Sequence, residues 1–344
     1  MAKRTGIKLR QLAILTVAWI AIGAFISLYD FLLLIASNSV VQPAALVTGL
    51  VVNCGTGLVG ALLGGTVLVF IIDDKLKDRR YVYSLILIVI VFALVVATVV
   101  VLKRVIFADV IIDSPAIRIK NALIWFVVVT ITQLILQMNT RTGNGFVGNF
   151  IRGKYYVPRE EKKIFMCLDI NSSTAIAEQL GDDRYHSLLR DFFSDIADPI
   201  LENAGTIYQY VGDEVIVAWN YEEGLKDNRC INCFYDIKRK INENAKKYQP
   251  RYGLVPTFKA GFHCGRVVAG EVGTLRREVT YSGDVLNTTA RILAMCRNYG
   301  AEVLASGNLL SQLCLGKTFE VLELGQMKLQ GKQTEVMLNA IKCL

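Results

Sequence analysis

The chain has 344 residues, of which 53% are hydrophobic and 20% charged, and its mean hydropathy is +0.41. One water-covered globule does not carry that much apolar surface, so part of the chain must face something other than water. The net charge of +8 does not mark a nucleic-acid binder. Residues 1–158 hold 15 Lys and Arg against 6 Asp and Glu, whereas residues 159–344 hold 23 against 24. The basic surplus sits with the apolar residues, as the cationic flanks of membrane spans do.

Four apolar stretches, at roughly residues 12–36, 44–72, 83–102 and 122–136, predict four transmembrane helices. A bilayer core of about 30 Å takes about 20 helical residues, so the first three are long enough and the fourth is marginal. The first stretch is too long for a cleaved signal peptide, and three more follow it. Lys3, Arg4, Lys8 and Arg10 precede the first span and Lys75, Lys77, Arg79 and Arg80 follow the second, while residues 37–43 carry no charge. This asymmetry predicts a multi-pass protein of the cell (inner) membrane, partnered by the lipid bilayer, with both termini cytoplasmic. The third loop, with Lys103, Arg104, Arg118 and Lys120 offset by Asp109 and Asp113, supports that topology least. Gly60 and Gly64 fit either a close approach of two helices or ordinary packing within one bundle. Asp30 and Asn53 fall in the outer halves of the first two spans. Asp30 reads either as an intramembrane sensor of a ligand or ion, or as an interfacial group reaching headgroup water.

From residue 137 to 163 the chain turns polar, which divides it into a membrane region at 1–137, a cytoplasmic linker or transducer at 138–162 and a soluble domain at 163–344. The eight cysteines show no framework spacing. Cys230 and Cys233 make a C-x-x-C, but they also continue the helical apolar series through Phe234, Ile237 and Ile241, so core packing outweighs zinc or redox chemistry.

In the soluble half, residues 164–168 read as a short strand ending at Asp169, and Asn171, Ser172, Ser173 and Thr174 as the cap of the following helix. A helix carrying Leu188, Phe192, Ile196 and Ile200 on one face stops before Gly205. Residues 206–211 and 214–219 form a hairpin through Gly212-Asp213. A helix around 223–248, strands at 257–263 and 267–272, a helix at 284–297 and short final strands complete the chain. The order β-α-β-β-α-β is that of a ferredoxin-like unit, giving an α+β class behind a four-helix membrane bundle.

A ferredoxin-like sheet brings Asp169 and Asp213 to one edge. Two carboxylates at one point repel unless cations lie between them, as in a two-metal site, and hard oxygen donors suit Mg²⁺ or Mn²⁺. The amides of residues 171–174, opening a helix, would cradle an anion beside them. Each Asp alone is ordinary turn or strand-end chemistry. The third element is Asn287 and Arg291, four apart on one helical face: an amide to orient a hydroxyl and a guanidinium fork for phosphate.

Together, residues 164–174, Val211-Gly212-Asp213-Glu214 and Tyr281-Ser282-Gly283-Asp284-Val285-Leu286-Asn287-x-x-x-Arg291 resemble the class III nucleotidyl cyclase domain over about residues 163–344. The resemblance implies that Asp169 and Asp213, with the carbonyl of Ile170, hold two Mg²⁺ or Mn²⁺ ions. It implies that Arg291 stabilises charge on the α-phosphate and Asn287 positions the ribose, with Ser173 and Thr174 near the substrate. In the family these two groups come from opposite subunits, so a chain with one such domain acts as a homodimer.

Adenylate-selective relatives carry Lys four residues before the second metal Asp and Asp or Thr seven before the Asn. Guanylate-selective ones favour Glu and Cys. Here the positions hold Gln209 and Thr280. Gln209 offers a donor and an acceptor, and Thr280 can accept from the 6-amino group of adenine. A late lysine, Lys332 or Lys328, is expected at the triphosphate. The resemblance therefore implies an adenylate cyclase acting on ATP, with guanylate or pyrimidine nucleotide cyclases as alternatives. A receptor using the fold only to dimerise is disfavoured, because all four catalytic side chains are present, and a transporter leaves the second half unexplained.

Overall fold

The computed structural model describes residues 2–36, 43–72, 81–106, 115–142, 155–274, 278–329 and 334–344. The chain divides into two compact units, one within Ala2–Val147 and one within Gly148–Leu344.

The first unit contains α1 (Ala2–Ala36), α2 (Pro43–Gly60), α3 (Tyr81–Ile106) and α4 (Pro115–Thr142). After α2 the helix continues in the wider π form through Ala61–Gly65 and Val67–Ile72. Among the described residues, Lys8–Ala36, Leu46–Phe70 and Ile119–Leu136 are long and apolar enough to cross a membrane, whereas α3 contributes the shorter apolar stretch Val89–Val101. Lys120, near the start of the stretch Ile119–Leu136, is ion-paired with Asp30 of α1. The Lys120 ammonium also lies 5.7 Å from the Tyr29 ring centre.

Asn53 likewise has a partner inside the bundle, donating from Nδ2 to Ser27 Oγ at 2.9 Å. Helices α1 and α2 touch backbone to backbone: a Cβ at Gly23 would lie 2.4 Å from the Asn53 carbonyl oxygen, and one at Gly57 2.5 Å from that of Trp19. Gly60 and Gly64 seat the Trp19 ring, 3.4 and 3.9 Å from where their Cβ atoms would be, so they serve packing within this bundle. Trp19 Nε1 donates to Thr132 Oγ1 of α4 at 3.2 Å, and its ring centre lies 6.0 Å from that of Trp125. The loop charges Lys75, Lys77, Arg79, Arg80, Asp109 and Asp113, and linker residues 143–154, lie outside the described residues.

In the second unit, β1 (Arg159–Ile170) is followed by α5 (Ser173–Leu180), α6 (Asp182–Glu202), β2 (Thr206–Val211) and β3 (Glu214–Asn220). Then come α7 (Tyr221–Leu225), α8 (Arg229–Glu243), α9 (Ala245–Tyr252), β4 (Phe258–Val272), β5 (Glu278–Ser282), α10 (Asp284–Tyr299), β6 (Val303–Ser306), α11 (Gly307–Leu310), β7 (Phe319–Met327) and β8 (Val336–Cys343). The sheet order is β2-β3-β1-β4-β6-β8-β7, with β5 paired to β4. Its antiparallel part β2-β3-β1-β4 has the expected ferredoxin-like order.

Two expectations change. Residues 257–263 and 267–272 are not separate strands: β4 runs unbroken through Gly265, because β1 pairs with it along its whole length from Arg159↔Ala269 to Ile170↔Phe258. The helix expected at 223–248 is broken, with Asp227 and Asn228 in the left-handed region at φ 55° and 54° between α7 and α8.

Helices α6 and α8 pack Phe192, Ile196, Phe234 and Ile237 against one face of the sheet. Cys230 and Cys233 lie fully buried in that same cluster, as the packing reading expects. Trp219 at the end of β3 is buried there too, its Nε1 donating to the Asn203 carbonyl at 3.0 Å. The other face is covered by α10 through Val285, Thr288, Thr289, Ile292, Leu293 and Cys296. The fit of α10 on β4 depends on two glycines. A Cβ at Gly261 would lie 2.4 Å from the Leu293 amide nitrogen, and one at Gly265 2.7 Å from Val285 Cγ2. Backbone cannot yield there as a side chain can. Gly261→Ala is therefore expected to cost about 2–3 kcal/mol and to lower the Tm of the detergent-solubilised protein by several degrees, at about 2–4 °C per kcal/mol. An unchanged Tm would place α10 elsewhere.

Candidate active site

Asp169 is the next-to-last residue of β1, and Asp213 sits in the β2–β3 turn beside Gly212, whose φ of 64° only glycine adopts readily. Because β3 pairs with β1 up to Leu168↔Val215, that turn ends alongside Asp169. The two carboxyl groups are close electrostatic neighbours, and Asp213 Oδ2 is buried with no hydrogen-bond partner. The neighbouring Glu214 turns instead to Cys167. Lys259, opposite Asp169 in the β1–β4 register, places Nζ 3.1 Å from Asp169 Oδ2. Burial, followed by the neighbouring Asp213, pushes the Asp169 carboxyl up to about 6, against the lowering effect of Lys259.

One cation is therefore not enough for two acids at this point. Among the described residues no group of three or more His, Cys, Asp or Glu is placed to hold a metal. The donor set here is two hard carboxylates, one with an orphaned buried oxygen, next to the Ile170 carbonyl. That set fits Mg²⁺ or Mn²⁺ ions, which keep their other positions for water and phosphate.

The anion cradle is smaller than expected. The Asn171 amide donates to the Thr257 carbonyl at 2.9 Å and is occupied. Ser172 holds a left-handed φ of 56° and caps α5 without a side-chain hydrogen bond, so α5 starts at Ser173, immediately after the tight turn from β1. Ser173 is half-buried beside Tyr185 of α6. Thr174 is exposed.

Asn287 and Arg291 lie on the side of α10 opposite its buried stripe. The C-terminal part of this helix is the part near the end of β1: Cys296 Sγ contacts the Ala260 carbonyl, and Ala260 pairs with Leu168. Asn287 is nine residues earlier, about 13 Å along the helix axis. One chain thus brings Asp169 and Asp213 together, and Asn287 with Arg291, but holds the two pairs apart.

Gln209 and Thr280 flank a direct contact between β2 and β5. The register of β2 against β3 skips Tyr208, so Gln209 stands opposite Ile216 on the α10 face. The Tyr281 amide donates to Tyr208 Oη at 3.3 Å. Gln209 is exposed; Thr280 is half-buried, and its hydroxyl donates to the Gly270 carbonyl at 3.5 Å. Lys328 is exposed after β7, and Lys332 lies outside the described residues.

Sequence reasoning missed Lys259 and Tyr208. The signal for Lys259 was a register count across β1 and β4 from Asp169, which needs β4 recognised as one continuous strand. Nothing in the local sequence marks a bulge at Tyr208.

Residues 156–340, more than half of the chain, match the family of the adenylate and guanylate cyclase catalytic domain. Over 198 residues the chain is 35% identical to Adenylate cyclase 2 of Rhizobium meliloti (strain 1021), covering 58% of this chain and 54% of the relative. Over 176 residues it is 31% identical to Adenylate cyclase 1 of the same organism, covering 49% and 26%. The chain thus spans about half, or less, of the length of these relatives. The structure of a bacterial light-regulated adenylyl cyclase has the same fold, with a TM-score of 0.55 at 19% identity over 67% of this chain and 66% of the other. With the family match spanning the domain that carries both Asp169 and Arg291, the chain belongs to the class III adenylate and guanylate cyclase family.

Proposed function

We propose that this chain is a membrane-anchored adenylate cyclase that converts ATP to 3′,5′-cyclic AMP and pyrophosphate at sites shared by two copies of itself. The observation that carries the reading is the meeting of Asp169 and Asp213 at one sheet edge, with Asn287 and Arg291 on an outer helix face where only another molecule can use them. A two-fold pairing supplies each carboxylate pair with the partner copy's amide and guanidinium. The helices α1 to α4 anchor the assembly as four spans, with residues 1–137 as membrane region, 138–162 as cytoplasmic linker and 163–344 as catalytic domain. Both termini then lie in the cytoplasm.

Asp169, Asp213 and the Ile170 carbonyl would hold the two divalent ions. Bound there, the ions lower the pKa of the ribose 3′-hydroxyl and neutralise triphosphate charge. Asn287 orients the ribose so that the 3′-oxygen lies in line with the α-phosphorus. As the new O–P bond forms and the bond to pyrophosphate breaks, Arg291 meets the charge that builds on the α-phosphate oxygens. The 3′-hydroxyl proton passes to water. Ser173 and Thr174, at the start of α5, face the phosphates. Lys259, already at the carboxylates, is placed to turn to a phosphate oxygen when nucleotide enters, and Lys332 or Lys328 is the late lysine that the family resemblance assigns to the triphosphate.

Base choice follows from hydroxyl polarity. With the Gly270 carbonyl nearby to take its proton, the Thr280 hydroxyl would present lone pairs that accept from the adenine 6-amino group and oppose the guanine 6-oxygen. The Gln209 amide donates to adenine N1. Thr280→Val is expected to lower the ATP to GTP ratio of kcat/KM about tenfold, and Gln209→Lys to raise it, in assays of cyclic products with Mn²⁺. A ratio unmoved by both would remove these side chains from base reading.

Two further outcomes test the shared metal site. Asp213→Ala and Arg291→Ala chains are each expected to lose activity by at least about 100-fold. Mixed during expression, they should recover about a quarter of the wild-type rate, because half of randomly paired dimers keep one of two sites. No recovery would place both residues in one protomer's site.

The raised Asp169 pKa gives the second outcome. A carboxyl whose folded-state pKa lies above its unfolded value favours folding most at low pH, and that contribution is lost as pH rises through about 6. Added Mn²⁺ should therefore raise Tm more at pH 7.5 than at pH 5. Asp169→Asn should raise the metal-free Tm at pH 7.5 and abolish the Mn²⁺ gain; equal gains at both pH values would contradict the assignment.

A further inference from the structure

Strand β2 carries one residue too many for its partner. Thr206↔Ala218 and Ile207↔Val217 follow one register and Gln209↔Ile216 and Tyr210↔Val215 the next, so Tyr208 is the bulged residue. The two ends of the strand both point to the α6 side, Ile207 into the main core and Tyr210 against Phe193 at 4.5 Å between ring centres. Regular alternation would put residues 208 and 209 on opposite faces. The bulge instead puts Tyr208 and Gln209 side by side on the α10 face.

There Tyr208 makes a specific contact. Its ring lies 4.9 Å from that of Tyr281, and its hydroxyl accepts the Tyr281 amide proton at 3.3 Å. Tyr281 is in β5, which pairs with β4 through Ala269↔Tyr281 and Gly270↔Thr280. The Tyr281 ring is itself held by Phe165, 5.5 Å away and close to perpendicular, with the Lys163 ammonium 5.5 Å from its centre. Lys163 is fixed in turn by Asn220 Oδ1 at 2.6 Å and Glu161 at 3.0 Å. One hydroxyl therefore joins the residue before Gln209 to the residue after Thr280, across two strands that share no pairing in the sheet.

We propose that Tyr208 is a positioning residue for base selection: by capping the Tyr281 amide it sets the separation between Gln209 and Thr280 and so the fit of the purine edge between them. This rests on the base-reading role given above to Gln209 and Thr280. Tyr208 touches no nucleotide in this scheme and acts through its two neighbours. A hydrogen-bond reader misplaced by a fraction of an ångström loses discrimination before it loses turnover.

The test is steady-state kinetics of the full-length, detergent-solubilised protein with ATP and GTP in the presence of Mn²⁺. Tyr208→Phe keeps the ring contact and removes only the hydroxyl. It is expected to leave kcat for ATP within about twofold, to raise KM for ATP and to lower the ATP to GTP ratio of kcat/KM about three- to tenfold. Both nucleotides are assayed on one preparation, so a change in the amount of folded protein cancels from the ratio. The double variant Tyr208→Phe/Thr280→Val should shift the ratio by less than the product of the two single shifts, because the part of the Tyr208 effect that passes through Thr280 is lost with it. An unchanged ratio in Tyr208→Phe, with Thr280→Val shifting it, overturns the proposal and leaves base reading by Thr280 standing. A ratio unmoved by Thr280→Val, Gln209→Lys and Tyr208→Phe alike overturns both. Fully additive effects in the double variant would make Tyr208 an independent reader and also overturn it.

Discussion

The arrangement of the second unit depends on β1 being hydrogen-bonded along both edges. Pairing with β3 on one side and β4 on the other leaves this strand no freedom of register, since a one-residue slip would move Phe165, Cys167 and Asp169 to the opposite face. That constraint fixes Asp169 against the β2–β3 turn and against Lys259, and holds two acids closer than their charges favour. The alternation along β1 serves two cores at once. Ile164, Met166 and Leu168 fill the layer under α6 and α8, while Phe165 and Cys167 meet the α10 side. The acids thus sit where rigid elements from both layers meet, and rigidity is what a site for charge stabilisation requires.

Helix α10 works under a complementary constraint. Its buried stripe includes two threonines that satisfy themselves within the helix, Thr289 to the Val285 carbonyl at 2.7 Å and Thr288 to Asp284 at 3.2 Å. The glycines beneath let it lie almost on the strand, so its opposite face projects outward with Asn287 and Arg291. Burial of one face and display of the other follow from the same packing. The helical unit repeats this logic, with α1 and α2 brought together over Gly23 and Gly57 and Trp19 keyed into Gly60 and Gly64.

Much of this was legible in the sequence where information is local. The Gly212-Asp213 turn, the apolar stripe of α6 and the start of α10 after Gly283 follow from turn chemistry and helical periodicity, and they locate Asp169, Asp213, Asn287 and Arg291. What was not legible depends on pairing between distant segments. Residues 264–266 fell between two expected strands, but β1 on one side and the α10 contact on the other make Gly265 the residue that fits. The occupied Asn171 amide and the Lys259 ion pair depend on register, and the bulge at Tyr208 depends on two core faces that must both be filled. The pairing of Lys120 with Asp30, 90 positions away, is likewise invisible to local pattern.

The placement of the three tryptophans has a practical consequence. Trp19 and Trp125 neighbour each other in the helical bundle, whereas Trp219 stands by itself at the end of β3, sealed from solvent and hydrogen-bonded to a carbonyl. Intrinsic emission therefore divides by location: a coupled indole pair reports on the bundle, and a solitary indole reports on the sheet. Replacing the pair with phenylalanine would leave a native optical probe of the sheet unit, and replacing Trp219 would leave one for the helical bundle.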